Sequence, residues 1–332
     1  MSKSFLREAA RETSYLAKGI GKTLLFLYLP VMAVLAVIHF PFDTDPSLHR
    51  GEKSVPAERV AAAAPARRQS AGFYEAAYQT NPKAKRGLDY ELVARAAAEE
   101  YGIEDKVRAF VKEYRLEDKK VLEVGSGRGY LQDIVKDYAG LDLSPSVARF
   151  YHKPFVVGSA TNLPFADSSY DVVWSVWVME HIPQPERALG EMRRVLKPDG
   201  MLFLYVAWNC PRWMAEGFEP RPYSDFNWRG KVVKASVSLR GWRWFQLLYQ
   251  MPTRALRWAQ YGTSGEAEPL RFRALEPNYE TYWGPDSDAA ISLDSFETYL
   301  WFQARGDACL NCERLVDEWL AARSPLIMRI RK

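Results

Sequence analysis

The stretch that decides the fold is KVLEVGSGRG, residues 120–129. Its first half, Lys120 to Val124, is a short apolar run typical of a buried strand, and glycines follow at positions 125, 127 and 129. Glycines directly after a strand let the backbone turn tightly and approach a ligand closely. We expect a helix from Tyr130 to Tyr138 and a second strand from Ala139 to Leu143. Strand, glycine turn, helix and strand form the first unit of a nucleotide-binding α/β sheet.

An acidic residue lies near the end of the second predicted strand. Asp142 follows Glu123 by nineteen residues, close to the spacing of about twenty at which a carboxylate contacts ribose hydroxyls. The glycine pattern is G-x-G-x-G, which is shorter than the G-x-G-x-x-G of dinucleotide-binding proteins. The chain also has no G-x-x-x-x-G-K-[ST] sequence, which excludes a P-loop. A nucleotide-containing ligand is therefore expected at this turn.

Four blocks of sequence, in this order, resemble the class I S-adenosylmethionine-dependent methyltransferases. The resemblance covers residues 73–208, and it is closest to the branch that acts on quinones, sterols and other small molecules. It implies an α/β, Rossmann-like sheet of seven strands with helices on both faces, with residues 324–332 as an antiparallel last strand. The blocks are VLEVGSGRG (121–129), GLDLS (140–144), VVGSATNLPFADSSYDVVWSVWVMEHIP (156–183) and EMRRVLKPDGMLFLYV (191–206).

The resemblance also implies which residues bind the cofactor, S-adenosylmethionine. Glu123 and the three glycines would form the loop beneath its methionine part, Asp142 would hold the ribose hydroxyls, and Leu143 would pack against the adenine. Ser159 stands where the family usually has an Asp that reaches the adenine amino group. Tyr74 and Tyr78 resemble the family's N-terminal helix that covers the cofactor. The implied cofactor-binding residues are Glu123, Gly125, Gly127, Gly129, Asp142, Leu143, Ser159, Ala160 and Trp177.

Glu180 and His181 follow the fourth predicted strand, at the face where α/β sheets bind ligands. Methyl transfer from a sulfonium needs mainly in-line positioning and exclusion of water, so a base is required only where the acceptor loses a proton. His181 is the first candidate for that base and Glu180 the second. A positioning or packing role for His181 is the alternative. The residues here are Glu-His-Ile-Pro. They do not resemble the Asn or Asp followed by two prolines that the enzymes methylating nucleic-acid bases carry at this position, so methylation of nucleic-acid bases is disfavoured.

The chain before the methyltransferase-like part has a different character. We predict a polar segment over residues 1–22, a transmembrane or membrane-anchor helix over 23–42, a flexible linker over 43–71 and a methyltransferase domain over 72–332. Leu24 to Phe42 carries no acidic or strongly basic residue, and nineteen residues at about 1.5 Å each just span a thin hydrocarbon layer. A buried core helix and an interfacial helix are the alternatives. Because basic residues flank both ends, orientation stays open, and we place the catalytic domain in the cytoplasm, where the cofactor is made.

Residues 209–290 follow the fifth predicted strand, Met201 to Trp208, and form an insertion that the four blocks do not explain. Between Asn209 and Gly262 it holds nine basic residues, three acidic residues and five of the eleven tryptophans. Basic residues among aromatic ones are typical of a membrane-surface element, whereas a lid with its own small aromatic core is the alternative. Single-stranded nucleic acid also matches such a pattern, but we expect no nucleic acid.

Composition narrows the remaining possibilities. The 332 residues are 48% hydrophobic and 26% charged, with a formal net charge of +4, which excludes a disordered or fibrous chain. Only three cysteines exclude a disulfide scaffold. Cys309 and Cys312 form a C-x-x-C without further ligands, so we expect two buried thiols on a helix and no metal site.

The sequence thus predicts a membrane protein, single-pass or monotopic, that methylates a lipid-like or membrane-associated small molecule. One alternative is a catalytically silent, membrane-tethered methyltransferase-like assembly protein, which the serine at position 159 favours. The other is a methyltransferase for a soluble small molecule.

Overall fold

The computed structural model describes residues 18–19, 21–23, 26–27, 30, 70–79, 90–240, 243–261, 269–312 and 325–332. The predicted anchor over 23–42 and linker over 43–71 therefore lie almost entirely outside the described residues. Among the residues that are described, no helix is both long and apolar enough to cross a membrane.

Seven strands form the central sheet, in the order β3-β2-β1-β4-β5-β9-β8. Strands β1 to β5 run parallel to one another, and β9 runs antiparallel to both β5 and β8. The seven-stranded sheet with an antiparallel strand near the C-terminus is therefore confirmed. A separate antiparallel pair joins β6 to β7. The strands are β1 Lys120–Val124, β2 Asp137–Asp142, β3 Phe155–Val157, β4 Tyr170–Val176, β5 Leu196–Tyr205, β6 Phe272–Ala274, β7 Ile291–Leu293, β8 Ala308–Cys309 and β9 Leu326–Arg329.

Helices cover both faces of the sheet. Successive residues of a strand point to opposite faces, so Val172 packs in one core cluster, with α3, and Val173 packs in another, with α4 and α7. The helices are α1 (residues 70–78), α2 Tyr90–Glu100, α3 Ile103–Tyr114, α4 Pro185–Val195, α5 Trp228–Arg240, α6 Arg243–Tyr261 and α7 Ser295–Gln303. Helices α2 and α3 directly precede β1 in the chain.

The predicted helix from Tyr130 to Tyr138 is wrong. Residues 130–136 form turns, and β2 begins at Asp137. Leu131, Ile134 and Val135 are buried, which explains the helical spacing, but the backbone does not follow a helix. Lys153 Nζ donates to the carbonyl oxygens of residues 132 and 135 at 2.7 and 2.5 Å. The Lys136 N–H, which a helix would pair with the carbonyl of residue 132, donates to the carbonyl oxygen of Glu117 at 3.2 Å.

Two further corrections concern the sheet edge and the fifth strand. Cys309 and Cys312 form a disulfide, and Cys309 lies in β8, so the expectation of two thiols on a helix is wrong. The tight turn after β8 leaves the two Cα atoms 5.5 Å apart, within the range that a disulfide can bridge. β5 begins at Leu196, earlier than the predicted Met201, because Leu196 already pairs with Tyr170 before a register shift.

The insertion packs against the rest of the domain through buried ion pairs. Arg254 Nη2 lies 2.9 Å from Asp294 Oδ2, and Arg257 Nε lies 2.8 Å from Glu297 Oε1. Both arginines are buried. Two of the nine basic residues counted in the insertion are therefore paired inside the protein and do not face a membrane. Of its tryptophans, Trp213 is buried in a small cluster with Phe218 and Val237.

Candidate active site

A cavity of about 920 Å³ lies where β1, β2 and β4 reach their carboxyl ends. This is the edge at which parallel α/β sheets bind ligands. The fold brings nearly all of the predicted site residues to its wall, although Gly129 and Glu180 do not line it. The predicted residues that line the cavity are Glu123, Gly125, Gly127, Asp142, Leu143, Ser159, Ala160, Trp177 and His181.

The turn after β1 requires glycine for two reasons. Gly125 has a φ of 74°, in the left-handed region that side chains other than glycine disfavour. A Cβ atom at this position would also overlap the side chain of Val178. The N–H groups of Gly125 and Ser126 both donate to the carbonyl oxygen of Leu141, at 2.8 and 3.0 Å. The turn is therefore attached to the end of β2, where Asp142 follows.

Asp142 holds the glycine loop in place. Its Oδ2 accepts a hydrogen bond from the Gly127 N–H at 2.8 Å, and its Oδ1 accepts one from the Ser144 N–H at 3.0 Å. Burial raises the pKa of this carboxyl, while the backbone donors act in the opposite direction. Each carboxylate oxygen has a second lone pair, and the side chain lines the cavity. The predicted ribose contact is thus geometrically available.

Glu123 is a buried carboxyl at the cavity wall. Its side chain is buried and accepts a hydrogen bond from the Tyr138 hydroxyl. Burial raises the pKa of Glu123 to about 8. At neutral pH the carboxyl therefore keeps its proton and can donate a hydrogen bond to a ligand.

Trp177 adopts an uncommon backbone conformation at the end of β4. Its φ is 53°, a value that a bulky side chain seldom takes. The N–H of Trp177 donates to the carbonyl oxygen of Tyr205 at 2.7 Å, and its ring packs edge-on against Tyr101. Strained residues of this kind cluster at functional sites.

His181 stands between two carboxylates. Its Nδ1 lies 3.3 Å from Asp288 Oδ2, and its Nε2 lies 3.8 Å from Glu180 Oε1. Burial lowers the pKa of His181, but the charges of Asp288, Glu180 and Asp286 outweigh it, so that the pKa is raised overall. Glu180 is fully buried behind the cavity, and burial raises its pKa to about 7. Of the two candidate bases, only His181 reaches the cavity.

Helix α1 covers the cavity with two tyrosines, Tyr74 and Tyr78. It is attached through Glu75, which accepts hydrogen bonds from the Ser144 hydroxyl at 2.5 Å and from the Ser146 N–H at 3.1 Å. The family resemblance implied this cover. Asp288 and the cavity-lining Tyr90 were not expected, and one of two acids within the sequence GPDSDAA offers no signal that would mark it.

The chain is similar in sequence to known methyltransferases. A family model described as a methyltransferase domain matches residues 122–204. An uncharacterized methyltransferase of Mycolicibacterium vanbaalenii is 34% identical over 173 residues, which cover 42% of this chain and 67% of the relative. The chain belongs to the class I S-adenosylmethionine-dependent methyltransferases.

Other relatives of this methyltransferase match shorter stretches. An uncharacterized methyltransferase of Mycobacterium tuberculosis is 37% identical over 105 residues, covering 28% of this chain and 41% of the relative. The chain thus spans about two thirds of the first relative and about two fifths of the second. The crystal structure of the PH0226 protein from Pyrococcus horikoshii is 27% identical and covers 32% of this chain and 54% of that one, with a TM-score of 0.30. That superposition is too limited to support an argument about the fold.

The site of this methyltransferase fits the cofactor that its family implies. Gly125 and Gly127 present backbone without side chains to the cavity, and the carboxylate of Asp142 borders the same cavity. The cavity volume falls at the upper end of the range of about 300–1,000 Å³ that small-molecule sites occupy. Ser159 differs from the family, and its hydroxyl lies 2.9 Å from that of Thr161. An adenine contact by Ser159 stays a prediction.

One group of side chains in the described part of this methyltransferase has the spacing of metal ligands. Glu180, His181 and Asp286 each offer one ligand atom, and these atoms lie within 4.8 Å of one another. Carboxylate oxygens and imidazole nitrogens are ligands that divalent transition metals accept. Nothing in the sequence pattern had indicated this group, because Asp286 is separated from the other two by more than a hundred residues.

Proposed function

We propose that this protein transfers a methyl group from S-adenosylmethionine to a small, lipid-soluble or membrane-associated acceptor. The observation that carries the transfer is the cavity in which the glycine loop, Asp142 and His181 meet. When bound, the cofactor supplies an activated methyl group, so the chain has mainly to bind, orient and exclude water.

Different residues carry out these tasks. Asp142 accepts hydrogen bonds from the ribose, and the glycine loop lets the backbone approach the methionine part. Tyr74, Tyr78 and Trp177 shield the reacting centre from water. His181 accepts the proton of an acceptor that loses one, for which its imidazole must first be neutral.

Cofactor titration tests the site. Asp142→Asn keeps the size of the side chain but removes its charge, and hydrogen bonds to charged groups contribute about 1.5–3 kcal/mol. We therefore expect S-adenosylmethionine to bind at least about tenfold more weakly by calorimetry. Asp133→Asn, an exposed carboxylate beside His152, is the control and should bind as the wild type does. Unchanged affinity in Asp142→Asn would refute the site, and no binding by the wild type would favour the catalytically silent alternative.

The proposal of a lipid-like acceptor is supported by the surface of α5. Trp228, Lys231, Val232 and Ala235 are all exposed and recur at helical spacing along one face. Trp228 is 71% exposed and Val232 46%. A single exposed apolar side chain is common on protein surfaces, but here two of them adjoin each other on one helix face. An apolar stripe with basic residues beside it is typical of helices that lie on anionic membranes. The apolar run from Leu24 to Phe42 points in the same direction.

Vesicle co-sedimentation tests the membrane part of the proposal. The Trp228→Ala/Val232→Ser double variant should bind vesicles containing anionic lipid several-fold more weakly than the wild type, because the stripe loses its apolar side chains. Leu92→Ala changes an equally exposed apolar residue on α2 and should have no effect. Equal binding by the double variant would show that α5 does not contact the membrane. Mass spectrometry of lipid extracts from cells with and without the protein should then reveal an acceptor heavier by about 14 Da, the mass of one CH₂.

A further inference from the structure

Part of the insertion reaches back to the active site. The Ala290 N–H donates to the carbonyl oxygen of Glu180 at 2.8 Å, and the Leu275 N–H donates to that of Ala290 at 2.8 Å. The Asn278 N–H donates to the carbonyl oxygen of Ser287 at 2.9 Å. Asp288 lies between these anchored positions and is fully buried. Its side chain therefore has a fixed place beside the end of β4.

Asp288 contacts two residues that line the cavity. Its Oδ2 accepts a hydrogen bond from the Tyr74 hydroxyl at 2.7 Å and lies 3.3 Å from His181 Nδ1. The backbone oxygen of Asp288 lies 3.4 Å from the same Nδ1. The rings of Tyr74 and His181 are 5.9 Å apart and nearly perpendicular. Residues from α1, from the end of β4 and from the insertion thus meet at one carboxylate.

We propose that Asp288 is a positioning residue of the methyltransferase, which holds the His181 ring and the Tyr74 hydroxyl in one arrangement at the cavity wall. The inference rests on the proposed function. Asp288 does not line the cavity itself, so it acts through the two residues that it contacts.

The contacts of the imidazole also define its tautomer. Nδ1 faces two oxygen acceptors, both of Asp288, so the neutral ring carries its proton on Nδ1 and leaves Nε2 as the atom that accepts a proton. The other charged or titratable groups that face His181 are Glu180 and Asp286, with Tyr74 from α1. Asp288 approaches the ring more closely than Glu180 does. Loss of its carboxylate should therefore change the position of the ring.

Nuclear magnetic resonance can observe the position of the His181 ring directly, at one fixed pH. The chain has four histidines, and the signals of His181 are identified by their loss in His181→Gln. The wild type should show nuclear Overhauser contacts between the rings of His181 and Tyr74, whose centroids are 5.9 Å apart. These contacts should weaken in Asp288→Asn, because that variant removes the carboxylate that both side chains contact. The control Asp133→Asn removes an exposed carboxylate and should leave the His181 contacts as in the wild type. Unaltered contacts in Asp288→Asn would overturn the proposal.

A second variant keeps the test decisive if Asp288→Asn does not fold. Tyr74→Phe removes the hydrogen bond between the Tyr74 hydroxyl and Asp288 and keeps the aromatic ring, so the contacts between the two rings and the ring signals of His181 should change. Unchanged His181 signals in Tyr74→Phe would also contradict a shared arrangement.

Binding and turnover distinguish this proposal from the proposed function. Asp288→Asn should bind S-adenosylhomocysteine as the wild type does. With a lipid extract from cells that lack the protein as the source of acceptor, its kcat should fall about tenfold or more with little change in KM for the cofactor. Normal turnover by the variant would overturn the positioning role. A wild type that binds no cofactor would instead refute the proposed function, whatever the ring contacts of His181 show.

Discussion

Glu123 couples the protonation of one buried carboxyl to the stability of the fold. Its pKa is about 8 in the folded protein, against an ordinary value of 4.5. Between these two values the folded protein holds a proton that the unfolded chain has released. The contribution of Glu123 to stability is therefore complete below about pH 4.5 and is lost as the pH rises through the window to about 8. Glu180, whose pKa burial raises to about 7, contributes in the same direction.

Replacing Glu123 by Gln should remove its part of this dependence. The amide cannot ionise, so the free energy of unfolding of Glu123→Gln should gain on that of the wild type by up to about 1.4 kcal/mol per pH unit across the window. Urea unfolding at pH 5, 6.5 and 8 measures this difference. Glu117→Gln, an exposed change before β1, should run parallel to the wild type. If Glu123→Gln also ran parallel, Glu123 would have to be ionised in the folded protein.

Helix α1 is an element held mainly by side chains. Glu75 bonds to Ser144 and Ser146, Tyr74 bonds to Asp288, and Arg149 Nη2 donates to the carbonyl oxygen of Tyr78 at 2.8 Å. Ser144 follows Asp142 by two residues, so the attachment of the cover and the predicted ribose contact share one short segment. Opening of the cavity on the side of α1, for release of a ligand, therefore requires these hydrogen bonds to break.

Weakening one attachment should shorten the lifetime of the bound cofactor. Glu75→Gln removes the charge that accepts the two serine hydrogen bonds, so the dissociation rate of S-adenosylhomocysteine should rise several-fold to about tenfold. Stopped-flow displacement measures this rate. Glu113→Gln, an exposed change on α3, should leave it as in the wild type. An unaltered rate in Glu75→Gln would mean that α1 does not limit release.

The sequence and the elements agree where the signals are local. β1, the glycine turn and Asp142 follow one another within a short stretch, so their types and spacing predict both strand and site. The helix expected between β1 and β2 does not form: the Lys136 N–H, which a helix would pair with the carbonyl of residue 132, donates to the carbonyl of Glu117, before β1. Apolar spacing shows which residues face inward, but it does not show which groups satisfy the backbone.

Across the full molecule, the insertion is joined to the sheet domain by desolvated charges. Arg257 is 5% exposed and its partner Glu297 16%, whereas the helix-surface pair Arg95–Glu99 is 63% and 69% exposed. Removing one partner of a buried pair leaves the other charge without compensation. The same change in an exposed pair costs little, because water replaces the partner.

These two pairs form a matched comparison. Arg257→Ala should lower the free energy of unfolding by about 3–5 kcal/mol, whereas Arg95→Ala should leave it nearly unchanged. Denaturant unfolding of both variants measures the difference. Equal, small losses of unfolding free energy in the two variants would indicate that the Arg257–Glu297 pair contributes nothing to the stability of the domain.

Long-range contacts account for what the sequence could not predict. The cofactor side of the site comes from residues 123–181, where family-like motifs carry the information. Asp288 is 107 residues from His181 and 214 from Tyr74, and only the folded insertion brings the three together. The membrane segment and the lipid-like acceptor stay predictions.

The two backbone hydrogen bonds to Asp142 have a consequence for the kinetics of binding. Because its carboxylate already fixes the glycine loop, the conformational entropy of that loop is lost during folding and not at the encounter with a ligand. Association should then be fast, with the adjustment of the cover as its slow step. A protein built in this way would discriminate among nucleosides by shape at first contact, before any part of the loop has to move.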